Sequence, residues 1–346
     1  MSVTLKDLAK ACGVSVGTVS RALNETNEVS AKTSERIRQL AQELGYIPNR
    51  AGRALSAQKS ICSLGIILPS INSPFFDDIK KGISAAARDF KDLGVEVILE
   101  EIEGWHVDKY LKVLDNLKTR NCRGYALCTV DDPRMVERLE NFASEKIPVL
   151  LINSDLPEAK RICYVGPDYY RQGNIAGGML QKCFQNQQLK ILIIVGYRNH
   201  IGHKRRVDGF IDELKTGKAD FEIINIIEGH DKDIDTQQRA MEAFDKNPEI
   251  NCVFMASGSG VSGMGAAVIA DSKHKRFVIA CDEVYTTREL VKNNIIDFVI
   301  CQEPYMQGYQ AVRRLSEYIN NKNTGPIDDY IVNSVIKIKN HFEDAG

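Results

Sequence analysis

Apolar residues recur every three or four positions over residues 4–44, then in short unbroken runs after residue 61, and the two patterns predict different folds. In the first, Leu5, Leu8, Ala9 and Cys12 share one helical face. Thr4 and Asp7 form a capping-box-like pair at its start, and Gly13 permits a sharp reversal. Ser15 caps a second helix that buries Val16, Val19 and Leu23, turns Gly17, Thr18 and Arg21 outward and ends at Asn24. Ser30 caps a third, in which Ile37, Leu40, Ala41 and Leu44 share a face closed by Gly45.

After residue 61 the runs LGIIL (64–68), VEVILE (95–100), GYALCTV (124–130) and IPVLLIN (147–153) each precede a polar loop and a helical pattern. The alternation recurs at LKILIIVG (189–196), FEIINIIEG (221–229), NCVFMAS (251–257) and FVIAC (277–281). Repeated strand-then-helix order predicts parallel sheets covered on both faces, and two sets predict two lobes. Gly325–Pro326 marks a turn, after which YIVNSVIKIK (330–339) reads as one last strand. The fold class is therefore an all-α helix-turn-helix head on an α/β body of two parallel-sheet lobes. Between head and body, Pro48 disfavours helix at Ile47 and suits the start of a new one over Asn49–Leu55, about two turns long. So short a helix is unstable alone.

Charge sharpens the division. Residues 1–59 carry nine Lys and Arg against five Asp and Glu, whereas the remaining 287 carry 36 against 41. A basic head on an acidic body suits a small DNA reader whose other surfaces must not bind polyanions. The second helix of a helix-turn-helix lies in the major groove. Arg21 can fork onto guanine and Val16 and Thr18 can touch thymine methyls, with Gly17 beside them. Thr4, Ser15, Ser20, Asn24 and Ser30 can reach phosphates. The plain alternative is a three-helix bundle whose polar residues face water.

With 346 residues, 43% hydrophobic and 26% charged, the chain has the composition of a multidomain globular protein. It has neither an N-terminal apolar export segment nor a window long and apolar enough to span a membrane, which predicts a cytoplasmic protein. The nine cysteines form no C-x-x-C pair and read as reduced core residues.

The runs Thr4–Ala9, Gly13–Ser15, Thr18–Asn24, Val29–Ser30 and Leu44–Asn49 closely resemble the head of the LacI/GalR family of bacterial transcriptional regulators. The resemblance is strong to about residue 60 and looser beyond. It implies a head over 1–46, a hinge helix and linker over 47–60, and an effector-binding and dimerisation body over 61–346, of periplasmic-binding-protein type. Lobe 1 would span about 61–162 plus 293–325 and lobe 2 about 163–292 plus 326–346, with FVICQ (298–302) and the helix after Pro304 crossing back. The implied partners are a second copy of the chain, a pseudo-palindromic duplex operator and a small-molecule effector, with no metal or cofactor. Leu55 matches the family's intercalating hinge leucine, with Asn49, Arg50 and Arg53 placed for phosphates or the minor groove; a plain exposed linker is the alternative.

In such lobes ligands bind at the carboxyl ends of strands. The segment Asn72-Ser-Pro-Phe75-Phe76 resembles one in sugar-binding relatives, although either phenylalanine could instead be core. Asn153, Ser154 and Asp155 follow the fourth strand, and the family often has aspartate where Asn153 stands. Arg206 falls at the family's effector-binding arginine and Asp282 at its cleft aspartate, while Gln302 and Tyr305 match the glutamine and aromatic of the crossover. Ser257, Asp131 and Trp105 lie on adjoining loops, Trp105 suited to packing or to stacking on a ring. One carboxylate, one guanidinium and several amides and hydroxyls suit a sugar; a purine is the alternative.

Gly258-Ser-Gly260-Val-Ser-Gly263, directly after a strand and 19 residues before Asp282, matches a dinucleotide fingerprint and would make the chain an NAD-dependent oxidoreductase. It begins at the third strand of its lobe, however, and lacks a downstream catalytic His, Lys or Tyr. Its glycines instead read as a loop that lets an effector approach. Gly196 and Gly202 with Lys204 fail the spacing of a P-loop, and His200 and His203 without a third ligand read as solvated.

Overall fold

The computed structural model describes residues 3–23, 29–44, 61–184, 187–198 and 200–342. The head folds as three helices, α1 (Leu5–Cys12), α2 (Val16–Leu23) and α3 (Ala31–Glu43). The capping box forms: the Asp7 N–H donates to Thr4 Oγ1 and the Thr4 N–H to the Asp7 carboxylate. Gly13 takes the left-handed conformation at φ 68°, and the Ser15 and Ser30 hydroxyls accept from the N–H groups of Thr18 and Thr33. Leu8, Ala9, Cys12, Val19, Ala22, Ile37 and Ala41 make the small core. Two side chains expected there lie outside it. Val16 is 40% exposed because it is the first residue of α2, and Leu44 is 43% exposed because α3 stops at Glu43.

Lobe 1 is built on β1 (Cys62–Leu68), β2 (Val95–Glu101), β3 (Gly124–Leu127), β4 (Val149–Ile152) and β5 (Cys163–Pro167), in the order β5-β4-β3-β1-β2 and all parallel. Helices α4 (Phe76–Phe90), α5 (Val107–Thr119) and α6 (Pro133–Ser144) connect them. Helix α7 (Tyr169–Cys183) leads into lobe 2, where β6 (Leu189–Val195), β7 (Phe221–Glu228), β8 (Cys252–Met255), β9 (Phe277–Cys281) and β10 (Phe298–Cys301) repeat the order as β10-β9-β8-β6-β7. The intervening helices are α8 (Ile201–Thr216), α9 (Asp233–Lys246), α10 (Val261–Ala270) and α11 (Tyr285–Lys292). Helix α12 (Pro304–Asn320) and two short strands, β11 (Tyr330–Val332) and β12 (Val335–Lys337), complete the body.

The strands read as unbroken apolar runs because helices bury both faces. Leu64, Ile66 and Leu68 of β1 point into one core, while Ile67 joins Tyr125 and Leu127 in the opposite one. Lobe 2 is layered in the same way. Eight of the nine cysteines are buried and all nine are free; Cys183 is the exposed one.

The chain passes between lobes three times, and all three passages differ from the sequence expectation. Strand β5 closes the first sheet, so the first passage falls at Asp168 and not at residue 162. Strand β10 stays in lobe 2, paired with β9, because α11 returns it to the same sheet; only α12 crosses back, packing on α4 and β4. The final run divides at Asn333–Ser334. Its first half, β11, pairs parallel with β5, and its second, β12, antiparallel with β10. All three passages therefore lie at the same edge of the two sheets.

In each lobe helices touch through glycine. A Cβ on Gly82 of α4 would lie 2.0 Å from the Tyr305 carbonyl, and one on Gly308 of α12 would lie 2.0 Å from that of Ile79. On α7 and α8, Gly173 faces the Arg206 carbonyl at 2.1 Å and Gly209 faces that of Tyr170 at 2.0 Å. Backbone against backbone is the closest approach two helices can make. It sets α8, and the side chains it carries, at a fixed depth below the cleft.

Candidate functional site

Strand order reverses between β1 and β3 in lobe 1 and between β6 and β8 in lobe 2, so the loops at the carboxyl ends of these strands open a crevice in each lobe. Beyond the ends of β1, β4 and β9 a polar residue adopts positive φ, Asn72 at 60°, Asn153 at 61° and Asp282 at 69°, as do His230 and Asp231 beyond β7. Asn and Asp tolerate this conformation where other L-residues are strained. The two lobes enclose a cavity of about 690 Å³.

The floor of the cavity is a chain of buried polar groups. Arg206, 1% exposed, sets its guanidinium on Asp282, 5% exposed, through Nη1–Oδ2 and Nη2–Oδ1 contacts of 2.9 and 2.7 Å. Its Nε donates to Gln172 Oε1, Nη1 also donates to the Ala256 carbonyl, and the guanidinium lies over the Tyr169 ring at 4.8 Å. A fork of this kind satisfies both charges at once. The Asp282 charge, with the hydrogen bonds it accepts, raises the Arg206 pKa against the burial that opposes it. From Asp282 the chain continues to the Gln302 amide, which donates to Oδ1. The Gln302 carbonyl accepts from Gln307 Nε2 at 2.7 Å and Asn153 Nδ2 at 3.2 Å, and Asn153 also donates to Gln307. Lobe 1 is thus joined to lobe 2 by amides running along the second passage.

One wall pairs Trp105 of lobe 1 with His200 of lobe 2, their rings edge-to-face at 4.5 Å. His203 lies against His200, ring centroids 4.3 Å apart. The Nδ1 atoms of His200 and His203 accept from the N–H groups of His203 and Tyr197, so the neutral rings carry their proton on Nε2. Nε2 of His200 is sealed from solvent and makes no hydrogen bond. Burial and then the Arg206 charge push His203 down to about 3, and burial with the neighbouring His203 drives His200 well below the ordinary imidazole range. Burial raises the Asp231 carboxyl, which accepts from the Ser257 hydroxyl at 3.1 Å. These histidines are therefore not the solvated pair the sequence suggested; Gly196 and Gly202 leave the rings room, since a Cβ on Gly196 would lie 2.9 Å from His203 Cε1 and one on Gly202 3.1 Å from His200 Cε1.

A pH dependence follows. Below the ordinary histidine pKa of 6.5 the unfolded chain takes up protons that the buried rings refuse, so stability falls with pH between about 6.5 and 3. The slope is about 1.4 kcal/mol per pH unit for each such ring. Thermal unfolding of the full chain followed from about pH 7 to pH 5 is expected to show a steeper loss than in His203→Gln; equal slopes would remove His203 as the cause.

Of the side chains singled out in the sequence, Asn72, Phe75, Phe76, Asn153, Arg206, Ser257, Asp282 and Gln302 line this one cavity. Phe76 is mostly core, its ring edge-on to Phe75. Three others lie elsewhere. Asp155 is bound by Arg161, which also holds Asp329 and so fastens the segment leading into β11. Tyr305 is exposed and stacks on Tyr309, because α12 presents its backbone and not its ring to α4. Asp131 lines a smaller adjoining pocket. Sequence reasoning misplaced His203 in solvent and missed Tyr169, Gln172, Asp231 and Gln307, whose only signal was a polar or aromatic residue on an otherwise buried helix face or strand end.

The glycine run at 258–263 is explained by packing. A Cβ on Gly258 would meet the Asp282 Cβ at 2.8 Å, Gly260 has φ 80°, and a Cβ on Gly263 would lie 1.9 Å from the Asp233 carbonyl oxygen. The Gly263 N–H already donates to the Asp233 carboxylate, which puts negative charge where a dinucleotide phosphate would have to sit.

In the head, Val16, Gly17 and Arg21 lie exposed on α2 with Thr18 half-buried beside them and Ser20 further round. Arg21 Nε rests on the Gly17 carbonyl at 3.1 Å. The Thr4, Ser15 and Ser30 hydroxyls are engaged in helix caps. Asn24, Asn49, Arg50, Arg53 and Leu55, and with them the hinge helix expected over Asn49–Leu55, lie outside the described residues.

Residues 4–49 match the family of bacterial regulatory proteins, lacI family, and residues 64–323 match the periplasmic binding protein domain. The HTH-type transcriptional regulator DegA of Bacillus subtilis is 29% identical over 61% of this chain and 60% of its own length. Catabolite control protein A of Priestia megaterium is 26% identical over 96% of both chains. Among solved structures, GanP, a glucose-galactose binding protein from Geobacillus stearothermophilus, superposes with a TM-score of 0.74 at 23% identity, covering 81% of this chain and 98% of that one. At that identity it establishes the fold alone.

Proposed function

Because the chain belongs to the LacI family of bacterial regulatory proteins, we propose that it is a cytoplasmic homodimeric repressor whose two heads read the halves of a pseudo-palindromic operator while a sugar in the interlobe cavity sets their affinity. The observation that carries this is the cavity floor. Arg206, Asp282, Gln302 and Asn153 present amide and charged groups at the one place where both lobes meet the crossing chain. Aromatic faces at Phe75 and Trp105 border the same space. Amides and a neutralised ion pair beside aromatic faces are the groups that recognise a polyhydroxy ring of little net charge.

A ligand that binds one lobe arrangement better than another shifts the population of that arrangement, and one without such a preference shifts nothing. The head precedes lobe 1 in the chain and is joined to it ahead of β1, so the spacing of two heads follows the spacing of two first lobes. On DNA, Val16, Gly17, Thr18 and Arg21 are assigned to base edges, and Thr4, Ser15, Ser20, Asn24 and Ser30 to phosphates. Asn49, Arg50, Arg53 and Leu55 are assigned to the minor groove at the operator centre.

Selecting sites from a random duplex library with the full chain tests this. Enrichment of a pseudo-palindrome, recovered in different yield when a sugar is added, is expected. Arg21→Ala should lose about 1–3 kcal/mol of discrimination at one position in each half-site. No enrichment under any sugar overturns the reading, and unchanged discrimination by Arg21→Ala overturns the major-groove assignment.

A further inference from the structure

Trp105 and His200 form a wall of the main cavity with space on both sides. Beyond it lies a second interlobe compartment of about 250 Å³, and Trp105, His106, Tyr197 and His200 line both. Its lobe 1 side comes from the loops after β3 and β4, which contribute Thr129, Val130, Asp131 and Ser154; Tyr197 and Ile201 face them from lobe 2.

The chemistry of this compartment is unspent. Thr129 is 1% exposed, yet its hydroxyl has no hydrogen-bond partner. A buried polar atom left unpaired is costly and rare in a protein interior. The neighbouring Asp132 carboxylate is fully used, capping α6 and binding Arg134, whereas Asp131 beside it is exposed and lines the pocket. Trp105, Val130, Tyr197 and Ile201 supply apolar surface around these groups. Hydroxyl and carboxylate acceptors between aromatic and aliphatic faces repeat, on a smaller scale, the character of the main cavity.

We propose that this compartment is a second sugar subsite, so that the effector is a disaccharide with one ring on Arg206 and Asp282 and the other on Thr129 and Asp131, its glycosidic link passing the edge of Trp105. The proposal rests on the sugar reading of the main cavity and goes beyond it by fixing the ligand's length.

Isothermal titration of the full chain with glucose, galactose and xylose, each beside a disaccharide containing it (cellobiose, lactose and xylobiose), tests the proposal. One disaccharide is expected to bind about tenfold or more tightly than its component sugars, from the added contacts. Thr129→Val and Asp131→Ala should each weaken that disaccharide about fivefold to tenfold and leave the monosaccharide within about twofold. Thr129→Val should not lower the melting temperature, because it removes an unpaired buried hydroxyl without changing shape. Monosaccharides binding as tightly as disaccharides, or variants that weaken both alike, overturn the second subsite and leave the sugar reading intact. Binding of none of the six overturns both.

Discussion

Replacing Asp282 by alanine is expected to cost the body about 3–5 kcal/mol of stability, because it strands the Arg206 guanidinium in a site with almost no access to water. The loss is not a measure of what the ion pair contributes. Taking both charges out of water was itself costly, and apolar residues of similar shape often replace such pairs at little or no cost. The double variant Arg206→Met/Asp282→Leu is therefore expected to recover most of the lost stability in a urea unfolding series while binding no ligand. If Asp282→Ala unfolds at the parent's urea concentration, the guanidinium must find another partner. The floor would then be less constrained than the two short contacts imply.

Gly209→Ala should be nearly as damaging from a position that touches no ligand. The added methyl would need the space of the Tyr170 carbonyl, 2.0 Å away, and backbone cannot swing aside as a flexible side chain does. Overpacking of this kind costs about 1–3 kcal/mol and sometimes more. Helix α8 must lift from α7, and Arg206 and His203, one and two turns earlier on the same helix, lift with it. A fall in ligand affinity of about tenfold or more is expected, since small misplacements of a preorganised group are costly. Gly178→Ala is the control. Its nearest neighbour is Glu213 Oε1 at 3.5 Å, an ordinary contact, and alanine's helix propensity should make it neutral or slightly stabilising. Calorimetry and ligand titration on the two variants separate close approach from the mere loss of a glycine.

The architecture was legible in the sequence because its physics is local. Runs such as Leu64–Leu68 and Leu189–Val195 are apolar at every position because helices cover both faces of the sheet, and Thr4, Gly13, Ser15 and Ser30 declare the helix ends by chemistry acting within four residues. The passages between lobes were less legible. Nothing in FVICQ distinguishes a strand that stays in its sheet from one that crosses, since either would be buried, and YIVNSVIKIK hides its division in two small polar residues. In the cavity, the residues at strand ends could be found from position alone. Gln172, Gln307 and His203 could not, because the partners that Gln172 Oε1, Gln307 Oε1 and His203 Nδ1 find lie far along the chain or on loop backbone, and a buried amide on a helix looks in sequence like an exposed one.

Three covalent tethers at one edge of two rigid slabs leave a single easy motion, a swing about the line through the tethers, as in a door on its jamb. Shear and twist are resisted because they would stretch one tether against another. Gln302 sits on that line, between β10 and α12, and holds Asp282 on one side and Asn153 on the other. A molecule that rearranges these amides acts at the pivot, where a displacement of a few tenths of an ångström is magnified at the far rim in proportion to the width of the lobe.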